Sequence, residues 1–341
     1  MNRPLPVVRS HERITYKRCK KKWYWAWRRG LVPRTAQFGA LQLGTWVHAA
    51  MARWYGPGLQ RNGDLAEHFL IVADSSRELA RRAKAPQHML DKADELIALG
   101  EAMLRAYQTH YGLDDGLRML ATEIPLEFSF SGPGGNVFAI HRLKPDGVYL
   151  DEEDDVWLLE TKTAATIKTG HLVIDDQARP YGAMAERALR NLGVIKKYQR
   201  FRGIMYNFLR KGLPDERPTN AQGKYLNQNG SVSKRQPPPL FVRKPITMTR
   251  AAKMQTLVRI QRETIEITEL TQALRDKTID PATLQITPHS SCERTCDFFA
   301  MCVSAEEGAD VRLMEQRMFI RRDPYLYEED TTDDPPGFEF G

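Results

Sequence analysis

Two short strings in this chain could hold a hard cation and use it for hydrolysis: Lys144-Pro145-Asp146-Gly147-Val148 and Leu158-Leu159-Glu160-Thr161-Lys162-Thr163. Thirteen residues separate Asp146 from Glu160, enough for a hairpin to set the two carboxylates side by side. Adjacent carboxylates on rigid strands bind cations such as Mg²⁺ through oxygen. Glu160 and Lys162 are two apart, so on a strand both point to one face, and Lys162 lies beside any metal that Glu160 holds. An ammonium there can orient or help deprotonate an attacking water and offset charge growing on a phosphate. Such a set is equipment for phosphodiester hydrolysis. The plainer alternative is a salt bridge at a strand end. Glu160-Thr161-Lys162 is the only Glu-x-Lys in the chain, which has no Asp-x-Lys. It closes the most apolar strand candidate, where a buried carboxylate needs a partner.

A second constellation is sulfur. Cys292, Cys296 and Cys302 have three and five residues in their gaps, and the fourth cysteine, Cys19, lies 272 residues before the trio. A local trio needs one more ligand to close a four-coordinate site, and Cys19 is the only cysteine left to supply it. Such a site would pin the N-terminal helix to the C-terminal segment. Four thiolates suit either Zn²⁺ or an iron–sulfur cluster; the alternative is four free structural thiols. Cys19 sits in RCKKKWYWAWRRG, residues 18–30. Lys17, just before it, and Lys20, Lys21 and Lys22 within it could contact phosphates, as in single-strand binders. We expect these lysines to be exposed. Trp23 and Trp27, four apart, are read first as core, and could shield the sulfur site from water.

The elements that must position these groups follow from periodicity. Residues 13–29 and 44–56 read as helices, the second with Thr45 as N-cap, and two longer helical patterns run over 64–84 and 88–111. From 117 the pattern turns β-like: 120–130, 137–150 and the nearly continuous apolar run 156–161 make a three-stranded antiparallel meander. A helix over 176–192, a strand over 201–209, a long mobile loop or insertion over 211–244 and a helix over 249–275 follow. Pro180 is tolerable only in a first turn, so the helix of 176–192 must begin near Asp175 or Asp176. The reading is an α/β layer fold around one mixed sheet. By segment, 1–112 is a helical annex, 113–210 the core, 211–248 the basic insertion, 249–322 a helix with the cysteine trio, and 323–341 an acidic, disordered tail.

Charge suggests a polyanionic partner. The net charge is +7, but residues 323–341 hold seven acids and no base, leaving 50 basic against 36 acidic residues, or +14, over the rest. Residues 1–34 alone carry eleven Lys/Arg against one acid. Nucleic acid is the simplest such partner; solubility charge is the alternative. No stretch approaches the ~18 apolar residues of a membrane span, and MNRPLPVVRS has no apolar signal core. We therefore read an intracellular protein without a membrane partner, in which cysteines serve as metal ligands or reactive thiols.

Pro145-Asp146, a gap, then Glu160-Thr161-Lys162, on a helix–three strands–helix–strand order, resembles the PD-(D/E)XK nuclease superfamily with its restriction-endonuclease-like α/β core (α-β-β-β-α-β). Two further strings resemble its RecB-like branch: GTWVH, with His48 on an upstream helix, and QARPY, with Gln177 and Tyr181 four apart. One cysteine before the core and three after it resemble the branch's iron–sulfur exonucleases, including CRISPR-associated protein 4, although the first gap of the trio there is usually two residues. The resemblance spans about residues 12–302. It implies a Mg²⁺ or Mn²⁺ held by His48, Asp146, Glu160 and the Thr161 carbonyl, with Lys162 catalytic and Gln177 and Tyr181 in the catalytic set. It also implies a [4Fe–4S] cluster on Cys19, Cys292, Cys296 and Cys302, in place of the Zn²⁺ alternative. The implied activity is a metal-dependent exonuclease on single-stranded DNA or duplex ends, serving recombination, repair or spacer processing. The alternative is a DNA-end-binding subunit with little activity of its own. No G-x-x-x-x-G-K-[ST] loop is present, so the chain would act alone or beside a separate helicase, recombination or CRISPR adaptation protein.

Overall fold

The structure, a computed structural model, describes residues 5–34 and 38–325; most of the acidic segment 323–341 thus lies outside the described residues. Its elements run β1 (Val7–Arg9), α1 (Ser10–Arg18), α2 (Lys20–Trp23), a π-helical turn (Tyr24–Arg28) and β2 (Leu31–Pro33). Next come α3 (Ala40–Trp54), α4 (Leu65–Arg82), α5 (Gln87–Tyr111), β3 (Arg118–Thr122), β4 (Leu126–Ser131), β5 (Val137–Leu143), β6 (Gly147–Leu150) and β7 (Val156–Ala164). The chain continues through α6 (Ala178–Asn191), β8 (Phe201–Arg210), β9 (Phe241–Thr247) and α7 (Arg250–Arg275). It ends in α8 (Cys292–Thr295), α9 (Phe299–Glu306), α10 (Arg312–Met318) and β10 (Phe319–Arg321). Among the described residues no helix is long and apolar enough to cross a membrane.

The central sheet has five strands in the order β3-β6-β7-β8-β9. It is mixed: β7 runs parallel to β8, and every other neighbouring pair is antiparallel. β7–α6–β8 is therefore a crossover unit, and β7, central and covered on both faces, is buried from Val156 to Thr161. Its alternation assigns two cores. Val156 and Leu158 pack with Met184, Ala185 and Leu189 of α6. Trp157 and Leu159 pack with Trp46, Val47 and Phe69 of the helical layer α3–α5. By the same period of two, Glu160 and Lys162 face the α6 side and Thr161 the α3 side.

The meander departs from the expected single sheet. Each of its first two strands breaks in two, and the outer halves form a separate three-stranded sheet, β1-β5-β4. Two prolines explain the break. Pro125 separates β3 from β4 and Pro145 separates β5 from β6, and neither can donate to a ladder. Glu123 adopts φ of 52° at the bend, and its N–H donates to the Asp146 carbonyl at 3.1 Å. The strand VVR at Val7–Arg9, which pairs parallel to β5, is another element that periodicity did not reveal. The long loop is shorter than expected, since Phe241–Thr247 adds an edge strand to the main sheet. Within it, isolated bridges join Thr219 to Tyr225 and Leu226 to Val232.

A segment after α2 meets one near the last described residues. β2 pairs antiparallel with β10, and Gly30 allows it: its φ is +62°, and a Cβ there would lie 2.1 Å from the Arg322 carbonyl oxygen.

Candidate active site

α3 reaches the sheet at Gly44, where a Cβ would stand 3.2 Å from Thr163 Oγ1 of β7. That approach, one helical turn before His48, sets the imidazole over the bend of the meander. His48 Nδ1 lies 3.1 Å from Asp146 Oδ1. The other Asp146 oxygen, Oδ2, accepts from the Thr161 N–H at 2.6 Å, so the carboxylate is fixed by the neighbouring strand. The register that pairs Gly147 with Leu159 brings Asp146 beside Glu160 and Thr161, as the spacing predicts.

Glu160 is 2 % exposed. Its Oε1 accepts from Lys162 Nζ at 2.6 Å and from Gln177 Nε2 at 2.6 Å, and Lys162 Nζ also donates to Gln177 Oε1 at 2.9 Å. The remaining oxygen, Oε2, is buried with no hydrogen-bond partner among the described residues. A buried carboxylate oxygen left bare is expensive, and a cation is the partner that resolves it. α6 starts at Ala178, with Asp175 Oδ1 accepting from the N–H groups of Gln177 and Ala178. Pro180 thus falls in the first turn, as predicted. Tyr181 is buried and donates its hydroxyl to the Lys144 carbonyl at 3.1 Å, bracing the Pro145 bend. Gln177 and Tyr181 are therefore no ordinary surface pair.

The set contains a residue that sequence reading missed. Among the described residues, one group of His, Cys, Asp or Glu has ligand atoms all within 4.8 Å of each other: His48, Glu123 and Asp146. Glu123 Oε2 also pairs with Lys144 Nζ at 3.0 Å. The available signal was the pair of prolines, Pro125 and Pro145, since the bend that breaks both strands sets Glu123 across from Asp146. Imidazole nitrogen and several carboxylate oxygens are a donor set for Mg²⁺ or Mn²⁺.

The electrostatics agree. Burial pushes the Glu160 carboxyl up, the Asp146 charge adds to it, and the result is about 7 despite Lys162. Burial would also raise Asp146, but the charge and hydrogen bond of His48, with Lys162, hold it below the usual carboxylate range. Burial alone would depress His48 and Lys162; the neighbouring carboxylates outweigh it and raise both. The acids repel one another across a shared space, as expected of a cation site. These groups line a cleft of about 920 Å³ whose walls also carry Arg9, His11, Arg53, Arg142 and Lys211.

The predicted phosphate-contacting lysines lie elsewhere. Lys17 pairs with Asp176 at 2.5 Å and Glu263 at 3.3 Å. Lys20 stands over the Tyr16 ring, 5.4 Å from its centroid. The expectation of exposure holds for Lys17 alone: Lys20 and Lys22 are half-buried, and Lys21 is 4 % exposed, its Nζ donating to the carbonyls of Pro281 and Ala282. Lys22 donates its N–H to Cys19 Sγ at 3.5 Å. Beside Lys144 and Lys162, residues not singled out in the sequence, Arg9, Arg53, Arg142 and Lys211, add to the cleft's positive charge.

Cys19, Cys292, Cys296 and Cys302 all line one cavity of about 500 Å³, with Lys21, Lys22, Trp25 and Phe298 among its walls. All four are free and half-buried. Burial pushes the Cys302 thiol up, and Cys19, Glu306 and Cys296 push it further. The cysteines do not form a group with ligand atoms all within 4.8 Å. A single tetrahedral Zn²⁺, with Zn–S of ~2.3 Å, would need its sulfurs about 3.8 Å apart. The indole packed here is also not the expected one. Trp25 meets Phe298 with centroids 5.5 Å apart, while Trp23 is buried with Val8, Tyr16 and Ile267, and Trp27 packs beside them.

The family model described as the PD-(D/E)XK nuclease superfamily matches residues 11–303. No curated protein matches the sequence. A solved structure titled "Crystal structure of SSO0001" is similar over 78% of this chain and 79% of its own, with 10% sequence identity and a TM-score of 0.29. A likeness at that level carries no argument.

Proposed function

The chain belongs to the PD-(D/E)XK nuclease superfamily, and from that premise we propose that it is an exonuclease of the RecB-like branch, cutting single-stranded DNA or DNA ends with Mg²⁺ or Mn²⁺. One observation carries this reading: His48, Glu123 and Asp146 converge within 4.8 Å, in the same cleft as the bare oxygen of Glu160 and the Lys162 ammonium.

In this reading His48, Asp146, Glu160 and the Thr161 carbonyl hold the cation, with Glu123 as an added ligand. The cation, when bound, supplies an activated water and neutralises charge on the phosphate. Lys162 keeps its proton under the fields of Glu160 and Asp146, and presents a fixed positive charge to the non-bridging phosphate oxygens. Gln177 clamps Lys162 and Glu160 together, so neither side chain reorganises when the strand enters. Tyr181 holds the Lys144 carbonyl and with it the bend that carries Asp146.

The four cysteines are read as ligands of a structural [4Fe–4S] cluster, as in proteins resembling CRISPR-associated protein 4. Their shared cavity supports one group bound by all four, and a multi-iron cluster would take one sulfur on each metal. The biological setting would be recombination, repair or spacer processing, beside a separate helicase or adaptation partner.

Digestion of end-labelled DNA tests the reading. Wild type should degrade it with Mg²⁺ or Mn²⁺ and not in chelator. Glu160→Ala should lose roughly 10³-fold in rate while still binding DNA. Equal cleavage by the variant would overturn the assignment and favour a DNA-end-binding subunit.

A further inference from the structure

The N-terminus of α1 opens into the same cleft as the carboxylate site. Arg9, Ser10 and His11 stand in its wall together with Glu160 and Lys162. A helix of nine residues presents first-turn N–H groups that have no acceptor inside the helix. The flanking residue, Arg9, provides no side-chain cap. Asp64 caps α4 and Thr249 caps α7 with their own oxygens, whereas α3 and α5, like α1, carry no side-chain cap.

Ser10 gives an independent sign of a missing partner. It is 5 % exposed, it lines the cleft, and its hydroxyl has no hydrogen-bond partner among the described residues. The one acid of this turn, Glu12, faces away from the cleft. It is fully buried and its Oε1 is shared by Trp23, Arg28 and Tyr325. Burial first, and then the charges of Lys162 and Arg9, hold the His11 imidazole below its ordinary value, so two cations stand near this turn. A helix N-terminus, a bare hydroxyl and a positive field together make an anion subsite.

We propose that the first turn of α1, with the Ser10 hydroxyl and His11, binds a backbone phosphate of the nucleic-acid strand, at a linkage beside the one held over Glu160 and Lys162. The subsite rests on the nuclease reading for its ligand. It fixes the register of the strand, so that the cleaved linkage is counted from a phosphate held by the helix. Phosphate contacts of this kind position a strand without reading its bases.

The test is a methylphosphonate scan, in which a short single-stranded oligonucleotide carries one uncharged linkage at each position in turn. Binding of the full chain is read by fluorescence anisotropy with Ca²⁺ replacing Mg²⁺. One linkage should cost wild type about tenfold in affinity, the worth of a hydrogen bond to a charged group. At that linkage the penalty should fall below about twofold in Ser10→Asp, whose carboxylate takes the phosphate's place, and should be intermediate in Ser10→Ala. If Ser10→Asp does not fold, Ser10→Ala alone decides. Equal penalties in wild type and variants at every linkage would overturn the proposal. Cleavage is not read here, so a chain that binds in this register but does not hydrolyse fails the Glu160 test and passes this one.

Discussion

The carboxylate cleft and the cysteine cavity are built by opposite means. The cleft is made by consecutive strands of one sheet and by helices packed on it, and its groups hold each other before any ligand arrives. Asp146 is tied to Thr161, Glu160 to Lys162 and Gln177, and the Pro145 bend to Tyr181. The cavity is made by the two ends of the chain. Its cysteines lie on Cys19, between α1 and α2, and on or beside the short helices α8 and α9; among their contacts is one long N–H to sulfur hydrogen bond, from Lys22 to Cys19. The first region supplies preorganisation and needs its ligand for chemistry. The second, in the proposed reading, would supply ligands and need the bound group for its own closure. α1 joins them, with Ser10 in the cleft wall and Cys19 just past its last residue.

Removing one ligand from each region should therefore produce opposite phenotypes. Cys292→Ser should lower the apparent unfolding midpoint by about 5–10 °C, equivalent to ~3 kcal/mol, and bleach any visible charge-transfer absorption. Asp146→Asn should leave the midpoint within about 2 °C. Equal midpoints for wild type and Cys292→Ser would break the contrast.

A smaller effect separates the clamp from the ligands within the cleft. Gln177→Ala removes two hydrogen bonds but no metal donor, so its rate should fall about 10–100-fold with metal affinity nearly unchanged. A matching loss of Mn²⁺ affinity in a binding titration would make Gln177 part of the ligand shell instead.

The smallest effect concerns the strut between the regions. His141 of β5 is fully buried, and neither ring nitrogen has a partner among the described residues. Burial, with the Arg13 charge of α1 beside it, holds its imidazole down at about 3. The group is neutral when folded and takes a proton near pH 6.5 when unfolded. Stability is thus complete above about 6.5 and is lost as pH falls toward the folded value, by up to ~1.4 kcal/mol per pH unit. Denaturant midpoints between pH 7 and 5 should slope for wild type and flatten in His141→Phe. Parallel slopes would show that other groups carry the acid sensitivity.

Much of this was legible before coordinates. The period-two pair Glu160 and Lys162, the thirteen-residue gap back to Asp146 and the start of α6 near Pro180 follow from local rules, and counting cysteines was enough to associate Cys19 with the distant trio, whose cavity it lines. What escaped was set by pairs of residues far apart in sequence. The meander splits because Pro125 and Pro145 fall within one position of each other across the facing strands, a coincidence of register that neither strand shows alone. Glu123 joins the site for the same reason. Lys21 is buried because two carbonyls from 281 and 282 meet its ammonium, and Trp25 faces the cysteines because Trp23 and Trp27, four apart, share the face that packs on Val8 and Ile267 while Trp25 falls on the other.

The central claim is that side chains from α3, the β3 end and the β6 start share one cation. Titration of the full chain with Mn²⁺, followed by electron paramagnetic resonance, tests it directly. One site should saturate in wild type, weaken about tenfold in Glu123→Gln, vanish in Asp146→Asn, and persist in Cys292→Ser. Undiminished Mn²⁺ binding in Asp146→Asn, or its loss in Cys292→Ser, would contradict the account.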